Sequence, residues 1–393
     1  MDECVRARLF SKNKISTKGV ISLRPLYIVI TMLLFGFLIV THELGHFLTA
    51  KLFGVKVNEF AVGMGPALFK KQFGETLYSL RLFPMGGFCA MEGETEESSD
   101  PRSFTALKSW KRVIILSAGA FMNLLTGFLA LLLVLSYNDT YPTPVIMDLM
   151  DGVPYESTDG ILPGDEIVSI DDNKIYFSNN VSQFLDRADG EPVDIELIRD
   201  GDQIEIPPIT ITRGDYTYEG EARNGYYGML FETQHELDFA TICKVGTYQT
   251  VDFARSVWLG LCDIATGKIG FESLTSIVGV MDIVSDNSTQ VQESIDKQEQ
   301  TAEPSTKGVV SGIYVVIQFM SLIAINLAIM NMLPLPALDG GHIAFICING
   351  ILKLFHIPQI NMKQQSVISS IGLCALLILM AVVMLKDIIA III

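Results

Sequence analysis

Four apolar runs, each close to bilayer length, punctuate the chain at about residues 26–48, 112–135, 309–333 and 366–386. Crossing about 30 Å of hydrocarbon takes roughly 20 helical residues, so each run predicts a membrane helix. One such run also fits a buried core helix, but several separated by polar stretches do not fit an all-soluble chain. Between the first two runs, residues 77–83 alternate apolar and polar side chains, which predicts a strand within a hairpin over 73–90. Between the second and third runs the pattern shortens. Val145-Ile146-Met147, Glu166-Ile167-Val168-Ser169-Ile170, residues 193–198 and residues 203–206 predict short strands, and residues 181–187 predict one helix. Residues 239–284 are amphipathic, and residues 285–307, rich in Ser, Gln, Glu and Asp, read as a solvated linker.

Composition agrees with a membrane protein: 49% of the 393 residues are hydrophobic and the mean hydropathy is +0.39. The charge is unevenly placed. Residues 138–308 hold 32 Asp/Glu against 10 Lys/Arg, a net of −22, so the remainder of a chain of −16 is +6. An acidic soluble domain is thus inserted into a mildly basic membrane part, and no basic patch suited to nucleic acid is present. The 51–112 loop carries nine Lys/Arg, and Lys353 and Lys363 lie in the 343–365 loop. The positive-inside rule puts both loops in the cytoplasm and the acidic domain outside. The basic tail 1–25, with Arg6, Arg8, Lys12, Lys14, Lys18 and Arg24, is the exception to this rule and does not read as a cleaved signal peptide. The six cysteines are scattered without a CxxC pair, which suggests neither a disulfide framework nor a cysteine metal site.

The chemistry sits where it is most costly. His42-Glu43-Leu44-Gly45-His46 closes the first apolar run, and ionisable groups inside a membrane segment are functional candidates by default. On a helix, positions i and i+4 share a face, so both imidazoles can bind one metal ion with Glu43 beside it. A catalytic zinc site wants three protein ligands and one open position. The extended metzincin pattern fails, because Thr49 and Leu52 stand where it needs Gly and His.

The best candidate for a third ligand is Asp339, in Asn331-Met332-Leu333-Pro334-Leu335-Pro336-Ala337-Leu338-Asp339-Gly340-Gly341-His342, which closes the third run. Pro334 and Pro336 cannot continue a helix, and broken backbone at membrane depth is tolerated where it is buried or lines a cavity. Asn326 and Asn331 bring side-chain amides toward the same place. HExxH alone is a frequent chance match and a Pro/Gly turn is an ordinary helix exit. Together they use three of the five histidines, which makes chance a poor account. His342 reads as structural rather than as a ligand, and His235 and His356 as surface residues.

With these residues in view, HExxH in the first membrane helix and Asn-x-x-Pro-x-Pro-x-Leu-Asp-Gly at the end of the third resemble the site-2 protease family of intramembrane zinc metalloproteases. Phe83-Pro84-Met85-Gly86-Gly87-Phe88 resembles the Gly-Gly segment of that family's membrane-associated β-hairpin. Ala118-Gly119-Ala120-Phe121-Met122-Asn123 resembles the start of its second helix, with Gly119-Ala120 where the family usually has Gly-Pro. Ser276-Ile277 likewise replaces a Gly-Pro before the third helix. The resemblance implies His42, His46 and Asp339 as ligands of Zn2+, Glu43 as the catalytic base, and Asn326, Asn331, Gly86 and Gly87 as substrate-binding.

Gly160-Ile161-Leu162-Pro163-Gly164-Asp165 and the following strand resemble the turn and strand of a PDZ domain, as in the bacterial branch of the family. The expected fold class is therefore a membrane α-helical bundle of about four transmembrane helices, with a membrane-associated β-hairpin and an inserted α+β PDZ domain. The expected layout is a tail at 1–25, core helices 1 and 2 with the hairpin at 26–136, the PDZ domain at 143–215, an amphipathic segment and linker at 216–308, and core helices 3 and 4 at 309–393. The expected setting is the inner (cytoplasmic) membrane, multi-pass, with the PDZ domain extracytoplasmic. The resemblance implies regulated intramembrane proteolysis: cleavage of single-span proteins already cut by another protease, such as an anti-sigma factor, or of signal-peptide remnants. Two other functions fit fewer residues. A non-catalytic membrane PDZ scaffold has no use for HExxH and Asp339, and a zinc hydrolase acting on lipid has no use for a PDZ domain.

Overall fold

The computed structural model describes residues 24–392 apart from 95, 97, 139, 158, 159, 236, 269–276 and 299–305. The basic tail up to residue 23, Ser276 and the last part of the expected linker therefore lie outside the described residues. The chain divides into two units, one of residues 1–124 with 269–393, the other of residues 125–268.

Helices dominate the first unit. They are α1 (Arg24–Leu52), the first half of α2 (Ser109–Asn138), α5 (Ile277–Gln298), α6 (Thr306–Met332), α7 (Asp339–Leu354) and α8 (Met362–Ile392). Among the described residues, α1, α2, α6 from Gly308 and α8 to Ile389 are long and apolar enough to cross a membrane. Each begins and ends within a few residues of its apolar run, because hydrophobicity over a bilayer length is a strong signal. The ends of α6 and α7 are set by Pro334 and Pro336. Neither offers an N–H, and the segment from Leu333 to Leu338 closes instead with short-range bonds, Leu335 N to Leu333 O at 2.7 Å and Leu338 N to Leu335 O at 3.2 Å.

The polar segment around 285–298 corrects the linker expectation. It is the second half of α5, which packs against α1 and α6. Val284, Ser285 and Ser288 are fully buried, and Tyr27 and Val316 share a core with Val284. Its small polar side chains are compatible with that position because they bond back to their own helix: Ser288 Oγ donates to Val284 O at 2.8 Å and Thr289 Oγ1 to Ser285 O at 2.7 Å. A Ser/Thr hydroxyl satisfied this way leaves no unmet polar group in a helix interface.

The hairpin is longer than the alternation predicts, with β1 (Val57–Phe73) and β2 (Thr76–Met91). It curls on itself, so that Phe60 lies opposite Cys89 on one flank and Tyr78 on the other. Phe47 of α1 packs edge-on against Tyr78 with ring centres 6.0 Å apart, and Ala50, Val57, Phe60, Cys89 and Ile115 form one buried core. That core ties the hairpin to α1 and to the start of α2.

In the second unit, β10 (Met229–His235), β3 (Thr140–Leu149), β4 (Glu166–Ile170), β6 (Val193–Arg199) and β7 (Asp202–Ile209) form one antiparallel sheet in that order. The short β5 (Asn173–Lys174) pairs with β4, and β8 (Gly214–Tyr218) with β9 (Glu221–Tyr226) makes a separate hairpin. Ile167, Ile170, Ile195 and Leu197 share a buried core with Val181, Phe184 and Leu185 of α3 (Ser178–Ala188). The amphipathic segment becomes α4 (Phe239–Ala265), N-capped by Asp238. It docks on α3 through polar pairs: Asn180 donates to Asp252 at 2.8 Å, Gln183 to Ser256 at 3.2 Å, and the Arg187 fork grips Asp263.

Candidate metal centre

Distant stretches converge on one point. His42 and His46, one turn apart on α1, present their Nε2 atoms 3.1 Å from each other. Asp339, the first residue of α7, brings Oδ2 to 3.1 Å from His42 Nε2 and 3.4 Å from His46 Nε2. The three ligand atoms lie within 4.8 Å of one another, the single such grouping of metal-binding side chains among the described residues.

Its chemistry is that of a cation site. His46 Nδ1 lies 2.8 Å from the carbonyl oxygen of Ile115. A carbonyl only accepts, so Nδ1 carries the proton and Nε2 turns a lone pair inward. Asp339 Oδ2 is buried with no hydrogen-bond donor satisfying it. Inward lone pairs with a buried, unsatisfied carboxylate oxygen are costly unless a cation joins them. Two imidazoles and a carboxylate are a set that zinc accepts while leaving a position for water.

The surrounding backbone explains the glycines. A Cβ on Gly119 of α2 would stand 2.5 Å from His46 Nε2 and 2.8 Å from His42 Nε2, so any side chain there crowds the two imidazole nitrogens. A Cβ on Gly45 would meet the carbonyl of Ala118, so the α1–α2 crossing is close because both helices have glycine at it. Gly340 and Gly341 let the first turn of α7 rest on the carbonyls of Leu333 and Leu335, which holds Asp339 at the helix start. Ala337 adopts φ +84°, a left-handed conformation that costs a non-glycine residue energy.

Glu43 faces β2 of the hairpin at Gly87. Gly87 sits between Glu43 and β1: a Cβ there would stand 3.6 Å from Glu43 Cγ and 2.9 Å from the Ala61 carbonyl. Gly86 has φ +94° and faces Met64 across the hairpin. Of the two expected asparagines, Asn331 places its amide 3.4 Å from His42 Nδ1. Asn326, five residues earlier, is exposed and makes none of the cluster's hydrogen bonds. His342 lies against Phe345, outside the group of ligand atoms, and His235 and His356 are exposed.

Two contributors carried no assigned role in the sequence, Gly119 and Asn123. Both lie on α2, which supplies no ligand. The signal was present as a Gly and an Asn at i and i+4 in an otherwise apolar helix, one small and one polar residue on the same face.

A zinc-type triad on α1 and at the start of α7, among helices long enough to span a bilayer, is the arrangement of a membrane metalloenzyme. Comparison with known proteins carries this to a family. Residues 30–379 match the model of peptidase family M50, the site-2 protease family, and the chain belongs to it. It is 32% identical to a protein of Clostridium perfringens named as a zinc metalloprotease, over 93% of this chain and 99% of that one. It is 29% identical to a chloroplastic protein of Arabidopsis thaliana named as a membrane metalloprotease, over 89% of this chain and 77% of that one. It is 24% identical to the zinc metalloprotease RasP of Geobacillus kaustophilus, over 91% and 96%. The chain is accordingly a zinc-dependent metalloendopeptidase of the membrane.

Proposed function

We propose that this protein hydrolyses peptide bonds in or near the transmembrane segments of single-span membrane proteins. His42, His46 and Asp339 hold the zinc, and Glu43 is the general base. The observation that carries this reading is the meeting of Asp339 Oδ2 with both Nε2 atoms at 3.1 and 3.4 Å, the two imidazoles standing on a helix of membrane-spanning length. Bound there, zinc supplies a Lewis acid that acidifies water and polarises a peptide carbonyl.

This chain's own residues supply the rest. Glu43, adjacent in sequence to His42, takes the proton of the attacking water and returns it to the departing amide nitrogen. Asn331 offers an amide to the substrate backbone beside the metal. A helical substrate hides its carbonyls in i→i−4 bonds, so the scissile stretch must first unwind. Segments containing Gly, Pro or polar residues are therefore the preferred targets. The 87–91 part of β2, which passes Glu43 and Gly87, suits pairing with an extended strand.

The inserted sheet unit reads as the PDZ domain, on the extracytoplasmic side of the inner membrane. Its Gly160–Asp165 turn is pinned by Arg199, which donates to both Asp165 carboxylate oxygens at 2.8 Å and to Gly160 O at 2.7 Å. Capture of a peptide as an added strand needs a free sheet edge. β3 has β4 on one flank and β10 on the other. This supports screening of substrates by the size of their outer remnant over capture of a chain end at β3. Its acidic character adds repulsion of acidic remnants.

Glu43→Gln tests the proposal. The variant retains zinc while uncut membrane fragments of single-span proteins accumulate in cells that carry it. An unchanged fragment population would remove the assigned activity.

A further inference from the structure

The two histidine ligands need the same thing from their surroundings: an acceptor for Nδ1–H, so that Nε2 faces the metal unprotonated. His46 has the Ile115 carbonyl. For His42 the acceptor is not given directly, since two amides, Asn123 and Asn331, each lie 3.4 Å from Nδ1.

Bond counting separates them. Asn123 is 1% exposed, and its amide is wedged between His42 and Thr41. Thr41 Oγ1 has one proton, and the Leu38 carbonyl at 2.9 Å accepts it. Towards Asn123, 3.4 Å away, that hydroxyl therefore has only lone pairs to show and needs an N–H. The amide nitrogen of Asn123 belongs on the Thr41 side and its oxygen on the His42 side, an exchange that occupies the same space. The chain of donors then closes: His42 Nδ1–H to Asn123 oxygen, Asn123 N–H to Thr41, and Thr41 O–H to Leu38.

We propose that Asn123 is the positioning residue that fixes His42 as its Nδ1–H tautomer, leaving Asn331 free to serve the substrate. Ile115, Gly119 and Asn123 follow one another at i, i+4 and i+8 along one face of α2. The first orients His46, the second leaves room for the ion, and the third orients His42. A helix without a single ligand thereby sets both imidazoles. This inference rests on the reading of His42 and His46 as zinc ligands.

The test measures zinc affinity of the purified full chain in detergent, by competition with a chelator, independently of cleavage. Asn123→Leu keeps the size but offers no acceptor, and is expected to weaken zinc binding by about 10–100-fold. Asn123→Asp keeps an acceptor and is expected to hold zinc at least as tightly as the wild type. Asn331→Leu is expected to bind zinc within about twofold of the wild type while cleaving poorly. Wild-type affinity in Asn123→Leu, or a loss in Asn331→Leu equal to that expected for Asn123→Leu, overturns the assignment. Should Asn123→Leu fail to fold, Asn123→Asp decides, and a tenfold weakening there also overturns it. A wild-type chain that binds no zinc, with His42→Ala behaving identically, overturns instead the metal-site reading on which the assignment rests.

Discussion

Gly119 faces His46 so closely that a single added carbon would lie 2.5 Å from the imidazole nitrogen that turns toward Asp339. The absence of a side chain on α2 is thus as much a part of the candidate centre as the His and Asp side chains on α1 and α7. Gly119→Leu should fill the cradle and reduce bound zinc to below about a tenth of the wild-type content, measured by elemental analysis. Helical circular dichroism should be unchanged, because leucine favours a helix over glycine.

Asp339 owes its position to backbone packing. Gly340 rests on the Leu333 carbonyl with no room for a methyl group, so Gly340→Ala must push α7 away from the 333–338 loop. Overpacking of this kind costs about 1–3 kcal/mol. The expected outcome is a weakened zinc affinity greater than that from Gly350→Ala on the same helix, where a Cβ meets nothing. Equal effects of the two would show that the loop does not position Asp339.

The sheet unit has a core of its own. Ile167 is fully buried there, and truncation of a buried aliphatic side chain to alanine costs about 2–5 kcal/mol. Ile167→Ala should lower the protease resistance of this unit while leaving zinc content intact.

The same unit should respond to acid through Asp186. Burial pushes its carboxyl up, but hydrogen bonds from Arg213 and from Tyr227 at 2.7 Å outweigh burial and leave it below the usual carboxylate range. A folded-state value below the unfolded one contributes stability above the unfolded value, and that stability is lost as pH falls through the folded one. Asp186→Asn should flatten the acid limb of stability against pH, followed by limited proteolysis between about pH 5 and 2. A limb as steep as the wild type's would assign the acid response to other carboxylates.

Much of this was legible before any coordinates. The spanning-length helices followed from apolar length, their interruption from Pro334 and Pro336, and the facing imidazoles from the i, i+4 spacing of His42 and His46. That Asp339 meets them was inferred from the company it keeps in sequence, and packing delivers it. What composition concealed was α5: Ser288 and Thr289 count as solvent-loving, yet their hydroxyls are satisfied by the helix itself, which packs on Tyr27. The early start of β1 was hidden because residues 59–62 pair on both flanks and lack a clean alternation. Asn123 was hidden because its role is set by the single proton of Thr41, a matter of bond counting in three dimensions.

The central claim is that one zinc ion joins α1 to α7 through two imidazoles and a carboxylate. X-ray absorption at the zinc edge of the purified chain tests it most directly. The account predicts about one zinc per chain in a nitrogen and oxygen shell, with two histidines resolved by their outer-shell scattering and with binding lost in Asp339→Ala. A sulfur-containing shell, or an unchanged spectrum and zinc content in Asp339→Ala, would contradict it.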